Sequence, residues 1–173
     1  MAGTLTLGVS AIEMGPIASD GGPGTALTPL GLTDADSTNS FTQEDATTTD
    51  YNALESDTPV YQKSIAGKST LIFTLLDPDP DSMVRVMGGT ATGTAPNKSW
   101  NMPRGAVNIE QTVLLKSEIG MWLTIPRGKV TAKINHDLSK TGGKLAIDIS
   151  VVVLIPTKAG VAPAIYGPAV PVV

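Results

Sequence analysis

Apolar and polar residues alternate with a period of two along most of this chain, a period that predicts extended strands rather than helices. From Gly3 to Ala11, Leu5, Leu7 and Val9 share one face and Thr4, Thr6 and Ser10 the other. From Lys68 to Leu76, Leu71, Phe73 and Leu75 oppose Thr70, Ile72 and Thr74. Val107, Ile109, Val113 and Leu115 fall opposite Asn108, Glu110, Thr112 and Lys116. Met121, Leu123 and Ile125 continue the pattern, and Pro126-Arg127-Gly128 reads as a turn. Val130, Ala132, Ile134 and Leu138 then alternate with Lys129, Thr131, Lys133 and Asp137, as in an antiparallel strand with one wet face. After a turn at Gly142-Gly143, Leu145, Ile147, Ile149, Val151, Val153 and Ile155 line one face. The opposite face changes from Lys144 and Asp148 to Val152 and Leu154. The end of that strand is therefore apolar on both sides and needs a cover, from its own domain or from a neighbouring subunit.

The pattern breaks in four places. Residues 15–38 are rich in Gly, Pro, Thr and Asp and read as a loop. Residues 42–59 are polar and acidic; they suggest an edge strand near Phe41 followed by a long mobile loop, and loops of that length are often functional. Asp77-Pro78-Asp79-Pro80-Asp81 predicts the start of one short helix. Asp79 is its cap, Pro80 its first residue and Asp81 lies near its positive end. Met83, Val84 and Met87 form the apolar face, and Gly88-Gly89 the stop. The tail from Pro156 to Val173 carries Pro156, Pro163, Pro168 and Pro171 among apolar residues, which excludes a helix or a central strand. The expected organisation is one β domain over 1–173. Its parts are a strand and loop (1–38), a core with the acidic loop (39–157) and an extended tail (158–173).

Composition narrows the function classes. A chain of 173 residues suits one domain, and 41% hydrophobic residues suit a packed core rather than global disorder. Aromatics are only 4%, too few for the stacking platforms of carbohydrate or single-strand nucleic-acid binders. With no cysteine, disulfides and thiolate metal sites are excluded. The beginning, Met-Ala-Gly-Thr-Leu-Thr-Leu, has neither the basic nor the apolar region of a secretory signal. No apolar run approaches the ~20 residues of a membrane span, so no membrane insertion is expected.

The net charge of −4 conceals a split. Residues 1–62 hold nine acids and no Lys or Arg, a charge of −9; residues 63–173 hold all 12 bases against seven acids, a charge of +5. Such asymmetry reads either as a solvated acidic loop or as complementary poles that steer subunits together.

Candidate chemistry is thin. Gly67-Lys68-Ser69-Thr70 resembles the end of a phosphate loop, but Gln62 stands where the first Gly belongs and a strand follows instead of a helix. Asp77, Asp79 and Asp81 match the first ligands of a calcium loop, yet Ser82 replaces its Gly and Gly88 its final Glu. His136, the single histidine, falls on the apolar face of its strand and reads as a core or subunit-contact residue. No Ser, Cys or carboxylate sits in a recognisable catalytic motif. The expectation is a non-enzymatic protein without cofactor or metal.

The order of several segments carries a resemblance. Asp57-Thr58-Pro59-Val60 follows the acidic loop, and then come Ile65-Ala66-Gly67-Lys68-Ser69-Thr70-Leu71 and Phe73-Thr74-Leu75-Leu76-Asp77-Pro78-Asp79. Gly88-Gly89-Thr90 and Leu123-Thr124-Ile125-Pro126-Arg127-Gly128-Lys129-Val130 come next, before the closing hairpin to Val153. This run, most of residues 39–157, resembles the major tail tube proteins of long-tailed bacteriophages. The resemblance implies a mainly β, antiparallel sandwich or barrel-like fold with one short flanking helix, a long loop and extended termini. It implies virion subunits, assembled in the host bacterial cytoplasm, that form hexameric rings stacked into a tube. The tube would meet other tail proteins and conduct double-stranded DNA without binding it specifically. As contacts we expect the loop acids Glu44, Asp45, Asp50, Glu55 and Asp57 to meet bases such as Arg127, Lys129 or Lys133 of a neighbour. Val152, Leu154, Ile165 and Tyr166 would be buried between subunits. The alternatives are a capsid decoration protein, a tail terminator, or a β-sandwich adhesin or binding module.

Overall fold

The computed structural model describes residues 5–168. The chain folds mainly into antiparallel β-structure with one α-helix. In order the elements are β1 (Ala11–Gly15), β2 (Thr28–Pro29), β3 (Leu32–Thr33), β4 (Ser40–Gln43), β5 (Thr47–Tyr51), β6 (Tyr61–Ile65) and β7 (Ser69–Leu76). Then follow α1 (Pro80–Met87), β8 (Thr90–Thr92), β9 (Ser99–Asn101), β10 (Ile109–Lys116), β11 (Trp122–His136), β12 (Leu145–Val153) and β13 (Ile165–Gly167).

The main sheet runs β2-β1-β10-β11-β12-β7-β3, with β4 also on β7 and β13 also on β11. Its inner face is the alternating set read from sequence. Leu71, Phe73 and Leu75 of β7 oppose Val151, Ile149 and Ile147 of β12, and all six are buried. Ile12, Met14, Leu30, Val113, Leu123, Ile125 and Val130 complete the core with Met83 and Val86 of the helix. Residues 28–33 join the two edges of the sheet: β2 pairs with β1, Leu30 N donates to Ile12 O at 3.0 Å, and β3 pairs with β7. The sheet therefore curls back on itself, which leaves few open edges.

The helix starts as its cap predicts. The Asp79 side chain accepts from Ser82 N at 2.8 Å, Pro80 opens the first turn, and Gly88 closes the last at φ 75°. Its buried face is Ser82, Met83 and Val86, whereas Val84 is only half-buried. The expected face is thus rotated, because the helix packs against β8–β11 through the side that also carries Arg85, whose guanidinium reaches the Thr28 and Pro29 carbonyls.

Several expectations are corrected. Pro126-Arg127-Gly128 is not a turn: β11 runs through it for 15 residues. The registers Val113↔Ile125 and Gln111↔Gly128 set Pro126 and Arg127 opposite the single residue Thr112, a β-bulge. A bulge tolerates a proline because the missing N–H has no ladder partner to lose. Gly128 follows where the sheet is tight; a Cβ there would stand 2.4 Å from Val151 Cγ1. The bulge also turns Thr112 inward, fully buried, rather than onto the wet face.

The Gly3–Ala11 strand begins only at Ala11; Gly3 and Thr4 lie outside the described residues. Gly8 takes φ 65°, which interrupts an extended backbone, and Leu5, Leu7 and Val9 stay exposed, with a single bridge from Leu7 to Ile119. The 15–38 segment is mostly loop but supplies β2 and β3. His136 is exposed at the end of β11 rather than in the core. The β8–β9 hairpin, which no alternation announced, packs on α1 and places Trp100, whose Nε1 donates to Gly88 O at 2.8 Å.

Candidate assembly surfaces

The acidic segment is a β-hairpin, not a mobile loop. β4 is the edge strand expected near Phe41, pairing with β7 from Ser40↔Ile72 to Gln43↔Ser69. Beyond it the chain leaves the sheet as β5 and returns as β6, and among the described residues these two strands pair only with each other. Every residue of both strands is exposed. β-Branched Thr47-Thr48-Thr49 favours the extended form. Glu44 N, donating to Lys68 O at 2.9 Å, closes the base.

The register gives this arm two unlike faces. Thr48↔Ser64 and Asp50↔Gln62 lie on one, where Gln62 Nε2 donates to Asp50 Oδ1 at 2.8 Å. Thr47↔Ile65, Thr49↔Lys63 and Tyr51↔Tyr61 lie on the other, with the tyrosine rings 5.8 Å apart. The tip adds Leu54 and Val60, both exposed. A two-stranded hairpin is marginal alone in water and needs a third surface to become firm. This one projects apolar side chains that its own subunit leaves uncovered.

The charge split has a different meaning in three dimensions. Three of the nine N-terminal acids are bound within the subunit by C-terminal lysines: Glu13 by Lys116 at 2.5 Å, Asp20 by Lys158 at 2.6 Å and Asp34 by Lys144 at 2.6 Å. A third of the N-terminal acidic excess is thus neutralised internally. Glu44, Asp45, Asp50, Glu55 and Asp57, all exposed on the arm, enter no ion pair among the described residues.

Asp34 organises the edge of the sheet. Its buried carboxylate accepts from Lys144 Nζ, Ser37 Oγ and Asp36 N, while its own N–H donates to Thr74 O at 2.8 Å. The Lys144 bond holds the Asp34 carboxyl below the usual carboxylate range despite burial, and the Lys144 ammonium is raised in turn. A depressed folded pKa stabilises above the unfolded value of about 4 and is lost as pH falls through the folded one. Chemical denaturation at a series of pH values should therefore show stability falling below about pH 4, and Asp34→Asn should flatten that part of the slope. An unchanged slope would mean that other carboxylates carry the acid limb.

The remaining candidates divide. Arg127 is engaged inside the subunit: Nε donates to Glu110 Oε2 at 2.8 Å, which raises its pKa, and Nη1 donates to Ile155 O at 3.3 Å. Lys129 and Lys133 are exposed on the outer face of β11 without an ion pair among the described residues. Val152 and Leu154 are half-buried, so their own subunit supplies part of the expected cover, whereas Ile155 is exposed. Ile165 and Tyr166 form β13, which pairs with Thr124 and Leu123 of the same chain. Tyr166 meets Phe41 edge-on at 6.2 Å and burial raises its phenol. The tail is thus docked on its own β11 through residue 167; residues 169–173 lie outside the described residues. Sequence reasoning missed the intramolecular pairing, because nothing local marks a partner more than 100 residues away.

Among the described residues no group of three His, Cys, Asp or Glu is placed to hold a metal ion, and no helix is long and apolar enough to cross a membrane. No protein-family model and no curated protein matches the chain.

Proposed function

We propose that this protein is a non-enzymatic structural subunit that assembles with copies of itself into stacked rings, the tail tube of a long-tailed bacteriophage through which DNA passes. The observation that carries the reading is the exposed β5–β6 arm, amphipathic and acidic, which has no partner among the described residues of its own subunit. The sheet supports it in a second way. Its outer edges are joined by residues 28–33 and by the β4 and Asp34 contacts to β7, so uncontrolled edge pairing is limited to the part of β11 beyond Val130 and the arm is left to make contact. The segment order that resembles tail tube proteins supplies the geometry. Arm-mediated stacking is a heterologous contact that propagates instead of closing. The surplus acid leaves the subunit at −4, which suits a conduit that must not neutralise DNA phosphates.

Negative-stain microscopy of concentrated protein tests the reading: long tubes with a central channel are expected, and single rings or uniform monomers would contradict it. Charge reversal of Glu44, Asp45, Asp50 and Glu55 to Lys should leave the thermal unfolding of the subunit unchanged, since these acids hold no ion pair among the described residues. The same variant should form no tubes at low salt, where screening is weakest. Normal tubes from it would exclude the acids from assembly.

A further inference from the structure

The apolar face of the arm needs a receiving surface, and the subunit carries one on the far side of its sheet. β10 begins at Ile109, opposite Val130, but β11 continues to His136. From Thr131 onward β11 is paired with β12 alone among the described strands, so its other edge is open. Beside that edge lies an open groove of about 310 Å³. Met87, Met102, Pro103 and Val107 form one wall, and Val130 and Ala132 the other. Met102 and Val107 are largely exposed there. An apolar groove along an unpaired strand edge attracts an extended apolar partner.

Charge and position both favour a second copy as that partner. Lys129 lines the groove, Arg104 stands in the chain between the lining residues Pro103 and Gly105, and Lys133 follows on the same strand; none has an ion pair among the described residues. The arm, residues 44–67, carries five acids and one lysine. The groove lies at the β10 side of β11, while the arm springs from β4 and β7, with β12 between β11 and β7. A subunit that uses its arm on one neighbour keeps its groove free for another. That is the arrangement a propagating contact requires.

We propose that the arm of one subunit lays its Tyr51, Tyr61 and Ile65 face into the groove between the C-terminal end of α1 and the open edge of β11 of a second copy, with the carboxylates of the arm's base and tip, and not Asp50 on its opposite face, meeting Lys129, Arg104 and Lys133. This rests on the assembling-subunit reading and names the surface that receives the arm.

The chain has no cysteine, so paired single-cysteine variants report the contact directly. Tyr61→Cys and Ala106→Cys, mixed and mildly oxidised, should give a disulfide-linked pair, and neither variant alone should. Val107→Glu should weaken self-association, read by sedimentation, by at least about tenfold; its exposure means that the subunit still folds, which a thermal melt verifies. Tubes that form without the cross-link, and with Val107→Glu assembling normally, would overturn this docking and leave the tube reading standing. Cross-linked closed dimers without tubes would support the docking and overturn the tube. Protein that stays monomeric to millimolar concentration with no cross-link would overturn both.

Discussion

On the assembly proposed above, replacing residues 47–65 with a short flexible linker is expected to give a folded subunit that forms no tubes. The excised strands pair only with each other, and none of their residues is buried. The base of the arm survives, because Glu44 N still meets Lys68 O and Gly67 still packs closely on the Glu44 carbonyl. A shorter connection lowers the entropy of closing the loop by roughly 1 kcal/mol, in favour of the fold. The melting temperature should therefore hold or rise by a few degrees. Assembly should fail completely, since the deletion takes the apolar face together with Asp50, Glu55 and Asp57, three of the five acids of the arm. Sedimentation and negative-stain images of the variant beside the full chain check both halves. Stacked rings from the truncated protein would remove the arm from assembly, and a subunit that unfolds would show the arm to be part of the core.

The arm also shows where sequence reasoning fails and why. β7 and β12 were legible because each buries one face, so their alternation is imposed by the core: Leu71, Phe73 and Leu75 against Ile147, Ile149 and Val151. β5 and β6 bury neither face in the subunit, so no alternation was imposed on Thr47-Thr48-Thr49-Asp50-Tyr51, and the segment read as loop. The helix was legible from Asp79, Pro80 and Gly88, whose roles are local. Its buried face was not, because the choice of Val86 over Val84 depends on what packs against it. In β11, local turn chemistry at Pro126-Arg127-Gly128 pointed the wrong way, since a bulge absorbs the proline that would end a regular strand.

The candidate contacts follow the same division. That acids crowd the first 62 residues and bases the rest is plain in the sequence. Which of them are free is not. Glu13, Asp20 and Asp34 find lysines in the second half of their own chain, and Arg127 finds Glu110. Five acids without an ion pair among the described residues lie on the arm, and the equally unpaired Lys129, Arg104 and Lys133 lie in or beside the β11 groove, a more local pattern than two oppositely charged halves. A surface ion pair contributes little by itself, so in this arrangement charge selects the register and orientation of an apolar contact.

The second large effect is expected at Thr112, on which the bulge depends. Its side chain is fully buried; Oγ1 donates to Pro126 O at 2.8 Å and accepts from Gly24 N at 2.8 Å. One hydroxyl thus ties the bulge in β11 to the loop before β2, and both of its partners are in buried residues. Thr112→Val keeps the shape and removes both bonds, stranding a carbonyl and an N–H away from water. Each of the two stranded groups costs about 1–3 kcal/mol, so a loss of about 2–6 kcal/mol is expected. Thr112→Ser keeps the hydroxyl and deletes a methyl, at about 1 kcal/mol. Packing alone predicts the opposite order, because valine fills the site and serine leaves a void. Urea denaturation of the two variants decides between them: serine closer to the parent places the hydroxyl at the centre of the bulge, and valine closer would mean that the bulge holds by packing. Because the bulge sets the register of β11 beyond Gly128, loss of the hydroxyl should also loosen Val130 and Ala132, which form a wall of the groove.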